Sequence, residues 1–373
     1  MRALLISYGQ WHGPARLPRA LKRFGFEVGL VCHPDNLAAK TRFVDRYFFG
    51  KPKDESEVLR DLVQAIEAYR PDVVIPGLEP AVVALLTLLK MKDDGLLPQL
   101  SEDSVKSIRR SIFDPALQRY FHSKIDLIDE MAKRGVRTPP QRELHTLGDA
   151  DAFVTEHGFP VVLKPDAGYG GSDIAFCGDE ESLVNEVSER LRSGTRRRWS
   201  IQRLIDGPTA MVQFYAVKGD VKVAYSLLRV KTNPEGTGLA TVVQLIKNEE
   251  MEFAARILAE LMNYNGFGSI QFALPQGSGG EAYMFEANMR PGVSMHLGEM
   301  FGDDLCRALY QHHSNSPYIQ SEPRIGTTVA LYPQELIRDP NSEFLQGIVD
   351  SPDDDPGLLE HFQGLIEAAT QRA

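Results

Sequence analysis

The chain opens on the apolar run of RALLISYG (residues 2–9), which has the length and bareness of a strand buried on both faces. PARLPRALKRFG (14–25) then carries apolar residues at helical spacing and stops at Gly25, and EVGLVCH (27–33) is a second strand-like run. Helix-patterned ESEVLRDLVQAIEAY (55–69), strand-like PDVVIPG (71–77) and helix-like AVVALLTLLKM (81–91) continue the alternation. This rhythm predicts an α/β unit, a doubly wound parallel sheet with helices on both faces. No G-x-G-x-x-G follows the first strand, which argues against a dinucleotide there.

The pattern changes after residue 113. Residues 114–134 read as a helical connector closing at Gly135, and VRTPPQ turns the chain. HGFPVVLKPDAGYGGSDIAFCGDEESL (157–183) is a strand, a glycine turn, a second strand and a helix start. SIQRLIDG (200–207) is a strand broken at Asp206 and Gly207, and AMVQFYAVKGD, VKVAYSLLRVKT and LATVVQLI follow as antiparallel strands before a helix over 248–264. FGSIQFALP and EAYMFEANMR are expected to pair across QGSGGE, while GTTVALYPQELI and residues 356–371 close the core with a strand and helices. The middle and last parts are thus α+β.

Composition narrows the function classes. At 373 residues the chain suits two or three packed units. Its formal charge of -10 argues against nucleic acid as a bulk partner, because phosphate backbones need a broad basic surface; the TRRRW run (195–199) reads as a solvated loop. Cys32, Cys177 and Cys306 stand far apart and are odd in number, so they suggest neither a disulfide framework nor a paired-cysteine zinc site. The first apolar run is too short for a signal peptide, and AVVALLTLLKM falls short of the ~20 residues that cross a bilayer. A cytoplasmic protein with no membrane partner is expected.

Chemistry concentrates at YMFEANMRPGVS (283–294). Side chains alternate faces along a strand, so Glu286, Asn288 and, if extension continues, Arg290 share one side, and a connecting loop of even length sets Gln271 of the neighbouring strand on the Glu286 face. A carboxylate and two amide carbonyls suit Mg2+, and a guanidinium fork suits phosphate oxygens. A solvent-facing ion pair on an edge strand has the same spacing. Lys164, ending a β-rich run before Gly168, Gly170 and Gly171, offers a point charge beside amides that can approach a polyphosphate; such glycines are equally the residues of an ordinary turn. The end of SIQRLIDG could pass an adenine edge, although a plain structural strand is the commoner case. Arg229 and Lys231 alternate before a glycine-rich break, as phosphate contacts or as a solvated hairpin end. His296 is left outside the catalytic set, a lone histidine being more often structural.

Taken in order, Lys124 in SKIDLIDEMAKRGVRTPP, Lys164 with GYGGS, the QRLIDG segment, Gln271, and the E-x-N-x-R of Glu286, Asn288 and Arg290 resemble the ATP-grasp superfamily of carboxylate-amine ligases, from about residue 114 to about 310. The N-terminal unit resembles the domain that precedes ATP-grasp in many such ligases, including carbamoyl-phosphate synthase modules. The resemblance implies a pre-ATP-grasp domain over 1–113, a connector and lid over 114–204, and a catalytic core with a C-terminal extension over 205–373, two subdomains clamping the nucleotide. It implies ATP with one or two Mg2+, Mn2+ being able to substitute. Lys124 and Lys164 would reach the phosphates and base side, Gly168, Gly170, Gly171 and Ser172 would cover the phosphates, and Gln202, Arg203, Leu204 and Ile205 would lie along adenine. Gln271, Glu286 and Asn288 would hold metal, and Arg290 would face the transferred phosphoryl group as the catalytic residue. The chain departs from the family at Thr209, where many members carry an acid for the ribose; Asp206 substitutes, or the ribose is held loosely. The implied reaction joins a small-molecule carboxylate to an amine, on amino-acid-like or small peptide substrates, through an acyl phosphate. A small-molecule kinase and a non-catalytic nucleotide-binding regulator are the alternatives, and a homodimer is among the assemblies left open.

Overall fold

The structure, a computed structural model, describes residues 1–167, 173–192, 197–236, 238–277, 279–319 and 322–371. Its first sheet joins β1 (Arg2–Ser7), β2 (Glu27–Cys32), β3 (Arg46–Phe49) and β4 (Val73–Pro76) in the order β3-β2-β1-β4, every pair parallel. The period of two explains the bare apolar sequence of β1. Leu4 and Ile6 enter one core with the helices Glu55–Tyr69 and Glu79–Asp93, while Ala3 and Leu5 enter another with the helix His12–Lys22. The expected doubly wound unit is therefore present. The short β3, RYFF, lacked a long enough apolar run to be read from sequence.

The middle sheet is antiparallel, with β5 (Gln141–Leu144), β6 (Val161–Pro165), β7 (Ala175–Cys177) and β8 (Trp199–Arg203) in the order β5-β8-β6-β7. It has its own small core, formed by Phe153, Val161, Leu163, Leu183 and Ile201 among others. The third sheet has seven strands: β9 (Thr209–Val217), β10 (Asp220–Asn233), β11 (Leu239–Ile246), β12 (Gly266–Ala273), β13 (Tyr283–Asn288), β14 (Thr328–Ala330) and β15 (Ile348–Val349). Their order is β13-β12-β9-β10-β11-β14-β15. Alternate residues of β9 again go to different cores: Val212 and Phe214 join Leu4 and Ile6, whereas Met211 and Tyr215 join Ala3 and Leu5. The parallel sheet and the seven-stranded sheet thus share both cores, and the middle sheet stands on its own. No helix among the described residues is long and apolar enough to cross a membrane.

The helical connector expected over 114–134 is broken. A 3-10 turn (Pro115–Leu117) and a short helix (Arg119–His122) precede the helix Lys124–Lys133, and Ser123 at the break is extended, with φ -121° and ψ 109°. Ser123 caps the new helix by accepting from the Asp126 N–H, which satisfies one of the orphan donors of a helix start. Its hydroxyl in turn donates to Asp166 Oδ1 at 2.8 Å, and the Ile125 N–H donates to the same oxygen at 2.9 Å. Arg198 Nη1 donates to Asp166 Oδ2 at 3.1 Å, and Arg198 also meets Asp126 and Glu143. The basic run expected to be a solvated loop is here, at Arg198, a structural tie. This clip fixes the helix bearing Lys124 to the end of the strand bearing Lys164. Replacing Asp166 by Ala leaves the Ser123 hydroxyl and the Ile125 N–H without this acceptor and removes one of the partners of Arg198, and is expected to lower stability by about 2 kcal/mol, read as a lower urea midpoint. An unchanged midpoint would show that the clip holds nothing.

Candidate active site

The hairpin β12–β13 sets the register. Gln271 is paired with Glu286 and Ser269 with Asn288, so Gln271 does lie across from Glu286. Beyond that pair Phe272 faces Met284, leaving Phe285 as the extra residue of a β-bulge. β13 ends at Asn288, so the extension that would have carried Arg290 on the same strand face stops short.

Around Glu286 the side chains interlock. Lys124 Nζ lies 2.9 Å from Glu286 Oε1, and Gln271 Nε2 donates to Oε2 at 2.8 Å. Arg229 Nη2 donates to Gln271 Oε1 at 2.6 Å. Lys164 Nζ donates to the buried Gln202 at 2.6 Å and stands 5.0 Å from the centroid of the Phe285 ring. Four elements therefore converge: the helix Lys124–Lys133, β6, β10 and the hairpin. Arg290 turns away to form an ion pair with Glu79, at 2.7 Å, with side-chain exposures of only 12% and 19%. Glu79 begins the helix that follows β4, so this pair ties the hairpin's end to the parallel sheet.

Charge here is unbalanced. Burial pushes the Glu286 carboxyl up, but Lys124, Lys164 and Arg290 outweigh it and hold the group below its usual range. Burial pulls Lys164 down to about 8, against the pull of Glu286 and with repulsion from Lys124. Burial likewise lowers Arg229, whose buried Nε has no hydrogen-bond partner among the described residues. Like charges at close range repel, and a part-buried cation without its own anion is costly. The cluster is thus preset for an anion.

The metal reading can be tested against these donors. No group of three His, Cys, Asp or Glu side chains that could hold a metal gathers among the described residues. A cation at Glu286 would therefore depend on one carboxylate and on the amide oxygens of Gln271 and Asn288, an all-oxygen set that fits a hard ion such as Mg2+, which keeps several waters. The Gln271 oxygen accepts from Arg229 and keeps a second lone pair for a cation.

The expected phosphate-covering residues Gly168, Gly170, Gly171 and Ser172 lie outside the described residues. In the QRLIDG segment, Gln202 and Arg203 end β8, the Arg203 N–H donates to the Pro140 carbonyl, and the Leu204 N–H donates to that of Pro160, each at 3.0 Å. Ile205 follows the strand. Thr209 begins β9, paired with Ala273. His296 Nε2 lies 2.7 Å from Asp350 Oδ2.

Sequence reasoning gave Arg229 no firm place, although the signal exists. The pairing of Gln271 with Met211, and of Met211 with Leu227, carries the Gln271 face across to Arg229 two residues on. It could not be read before the strand order was known. Glu79 and Phe285 were missed altogether. Glu79 does follow a parallel strand's C-terminal end, where open α/β sheets bind ligands.

Comparisons agree with this architecture. Residues 123–212 match the family model for the carbamoyl-phosphate synthase L chain, ATP binding domain. The carbamoyl phosphate synthase large chain of Rubrobacter xylanophilus is 24% identical over 290 residues, which are 75% of this chain and 26% of that protein. The chain thus spans about a quarter of that relative's length. Among solved structures, a biotin carboxylase from Campylobacter jejuni, in complex with β,γ-ATP, has a TM-score of 0.65 at 18% identity, covering 87% of this chain and 74% of its own. An L-amino acid ligase from Bacillus licheniformis has a TM-score of 0.59 at 19% identity, covering 88% of this chain and 78% of its own. The fold is of the ATP-grasp kind, with an N-terminal α/β unit before it, as the motif order implied.

The low value for Lys164 has a consequence for stability. Folded, the group loses its proton near pH 8; unfolded, it loses it near 10.5. Between those values the unfolded chain binds more protons, so this group's contribution to stability rises with pH. The stability of the wild type relative to Lys164→Met should therefore improve from pH 8 to 10.5, measured as the difference in urea midpoints. A difference that stays flat would show that Lys164 titrates normally.

Proposed function

We propose that the chain is an ATP- and Mg2+-dependent ligase that joins a small carboxylate to an amine through an acyl phosphate, releasing ADP and phosphate. The observation that carries the reading is the surplus of part-buried positive charge: Lys124, Lys164, Arg229 and Arg290 surround Glu286, with Glu79 as the other acid. A polyphosphate matches that surplus, and the ATP-grasp fold supports a nucleotide as its source. In this reading residues 1–113 form the pre-ATP-grasp domain, 114–204 the connector and lid, and 205–373 the catalytic core. Gln202 to Ile205 lie along the base, and residues 168–172 close over the phosphates.

A carboxylate is a poor acyl donor because its leaving group would be oxide. Attack of a carboxylate oxygen on the γ-phosphorus forms the new O–P bond as the bond to ADP breaks. The amine then attacks the activated carbonyl, phosphate leaves, and the amine proton passes to phosphate or water. Such transfer needs positioning and charge neutralisation more than a side-chain nucleophile. Lys164, moving from Gln202, and Arg229, through its unmet Nε, would fix phosphate oxygens. Arg290 would exchange Glu79 for the transferred group and later steady the oxyanion. Glu286, Gln271 and Asn288 would hold Mg2+, which when bound neutralises phosphate charge and polarises the γ-phosphoryl group; Mn2+ has the same ligand preferences. Amino-acid-like or small peptide substrates are proposed, in the cytoplasm.

Glu286→Gln should lower ADP formation about 100-fold or more, assayed over pooled carboxylates and amines. Wild-type turnover in that variant would remove the metal role. Nucleotide binding should also draw a proton from buffer between pH 8 and 9, because a polyphosphate favours the charged form of a Lys164 that is partly neutral there. Titration calorimetry in buffers of different ionisation enthalpy measures the uptake; equal heats in all buffers would contradict it.

A further inference from the structure

In the parallel sheet the neighbours β1 and β4 are followed by helices on opposite faces. The helix His12–Lys22 after β1 packs with Ala3 and Leu5, whereas the helix that begins at Glu79 after β4 packs with Leu4 and Ile6. Where successive helices part in this way, open α/β sheets hold ligands in the crevice at the C-terminal ends of the two strands. Glu79 stands at that point. From the third sheet the segment after Arg290 reaches the same place: a Cβ on Gly13, in the first turn of the helix after β1, would lie 3.1 Å from Val293 Cα.

Arg290 Nε donates to Glu79 Oε1, and Arg290 Nη1 donates to the Pro291 carbonyl. Glu79 Oε2 forms no hydrogen bond among the described residues and keeps accessible surface. When Arg290 exchanges Glu79 for the transferred phosphoryl group, a carboxylate whose side chain is 19% exposed loses its only ion-pair partner among the described residues. The positive end of its helix relieves part of that loss, but an unpaired and largely buried charge still calls for a cation. The other cations of the site are engaged elsewhere: Lys124 with Glu286, Lys164 with Gln202 and Arg229 with Gln271. A metal ion belongs with the oxygen set around Glu286. The remaining participant in the reaction that can carry positive charge is the amine.

We infer that Glu79 receives the amine substrate as its ammonium, so that the acceptor is an amino acid or another primary amine charged at neutral pH. The inference rests on the ligase reading. The bound ammonium gives one proton to water before its nitrogen attacks the acyl phosphate. Two acceptors test it on the full chain with ATP, Mg2+ and pooled amino acids and short organic acids as carboxylates: hydroxylamine, uncharged at neutral pH, and glycinamide, an ammonium whose own carboxyl is blocked. Products are read by mass. Any loss that Glu79→Gln causes through Arg290 falls on both acceptors alike, so the ratio of their KM values isolates the ammonium. The KM for glycinamide relative to that for hydroxylamine should rise at least tenfold in the variant. An unchanged ratio would overturn the role of Glu79 and leave the ligase reading standing, as would hydroxamate formed by the wild type without any glycinamide adduct. No hydroxamate from the wild type would sink the ligase reading, and this inference with it. If Glu79→Gln does not fold, a crystal of the wild type with ADP, Mg2+ and glycinamide decides: the amine nitrogen within hydrogen-bond distance of a Glu79 oxygen supports the assignment, and a metal ion in that place, or the amine bound only elsewhere, overturns it.

Discussion

The structure turns on one carboxylate that is outnumbered. Glu286 is bonded to Lys124 and lies within the field of Lys164 and Arg290, while Arg229 reaches its neighbour Gln271. Each of these cations arrives on a different element, so their repulsion is a constraint on how those elements can meet. Glu286 relieves part of it. What remains shows in Lys164, drawn down to about 8, and in the unpartnered Nε of Arg229.

Other features serve that meeting. The Ser123–Asp166–Arg198 clip breaks the connector where a continuous helix would have carried Lys124 elsewhere, and it ties the middle sheet to the connector. The pair Glu79–Arg290 performs the same service between the parallel sheet and the hairpin. The two large sheets share both of their cores, whereas the middle sheet keeps a small core of its own. Hinged closure of that part on a nucleotide would then disturb polar ties more than apolar packing, which suits a clamp.

Much of this is legible in the amino-acid sequence alone. The alternating apolar runs gave the parallel unit, because strands buried on both faces and helices of matched length leave an unmistakable rhythm. Gln271 does face Glu286, but by way of the bulge: Ala273 pairs with Tyr283 across an odd loop, which without the extra residue Phe285 would set Gln271 against Phe285. Local pattern failed where tertiary contacts decide. Ser123 looks like any polar residue on a helical face until Asp166 claims it. Phe285 is pushed out of register by a bulge that alternation cannot show. Arg290 leaves its strand for Glu79, a partner 211 positions away in sequence. Arg229 needed the lateral order of three strands before its face was defined.

The surplus charge around Glu286 has a use only if a nucleotide's phosphates settle there. A crystal structure with ADP and Mg2+ is the most direct measurement. It should show a metal ion about 2.1 Å from a Glu286 oxygen, with Lys124 withdrawn from that carboxylate and Lys164 turned from Gln202 to a phosphate. Nucleotide bound elsewhere, with the Lys124–Glu286 contact still at 2.9 Å, would contradict it.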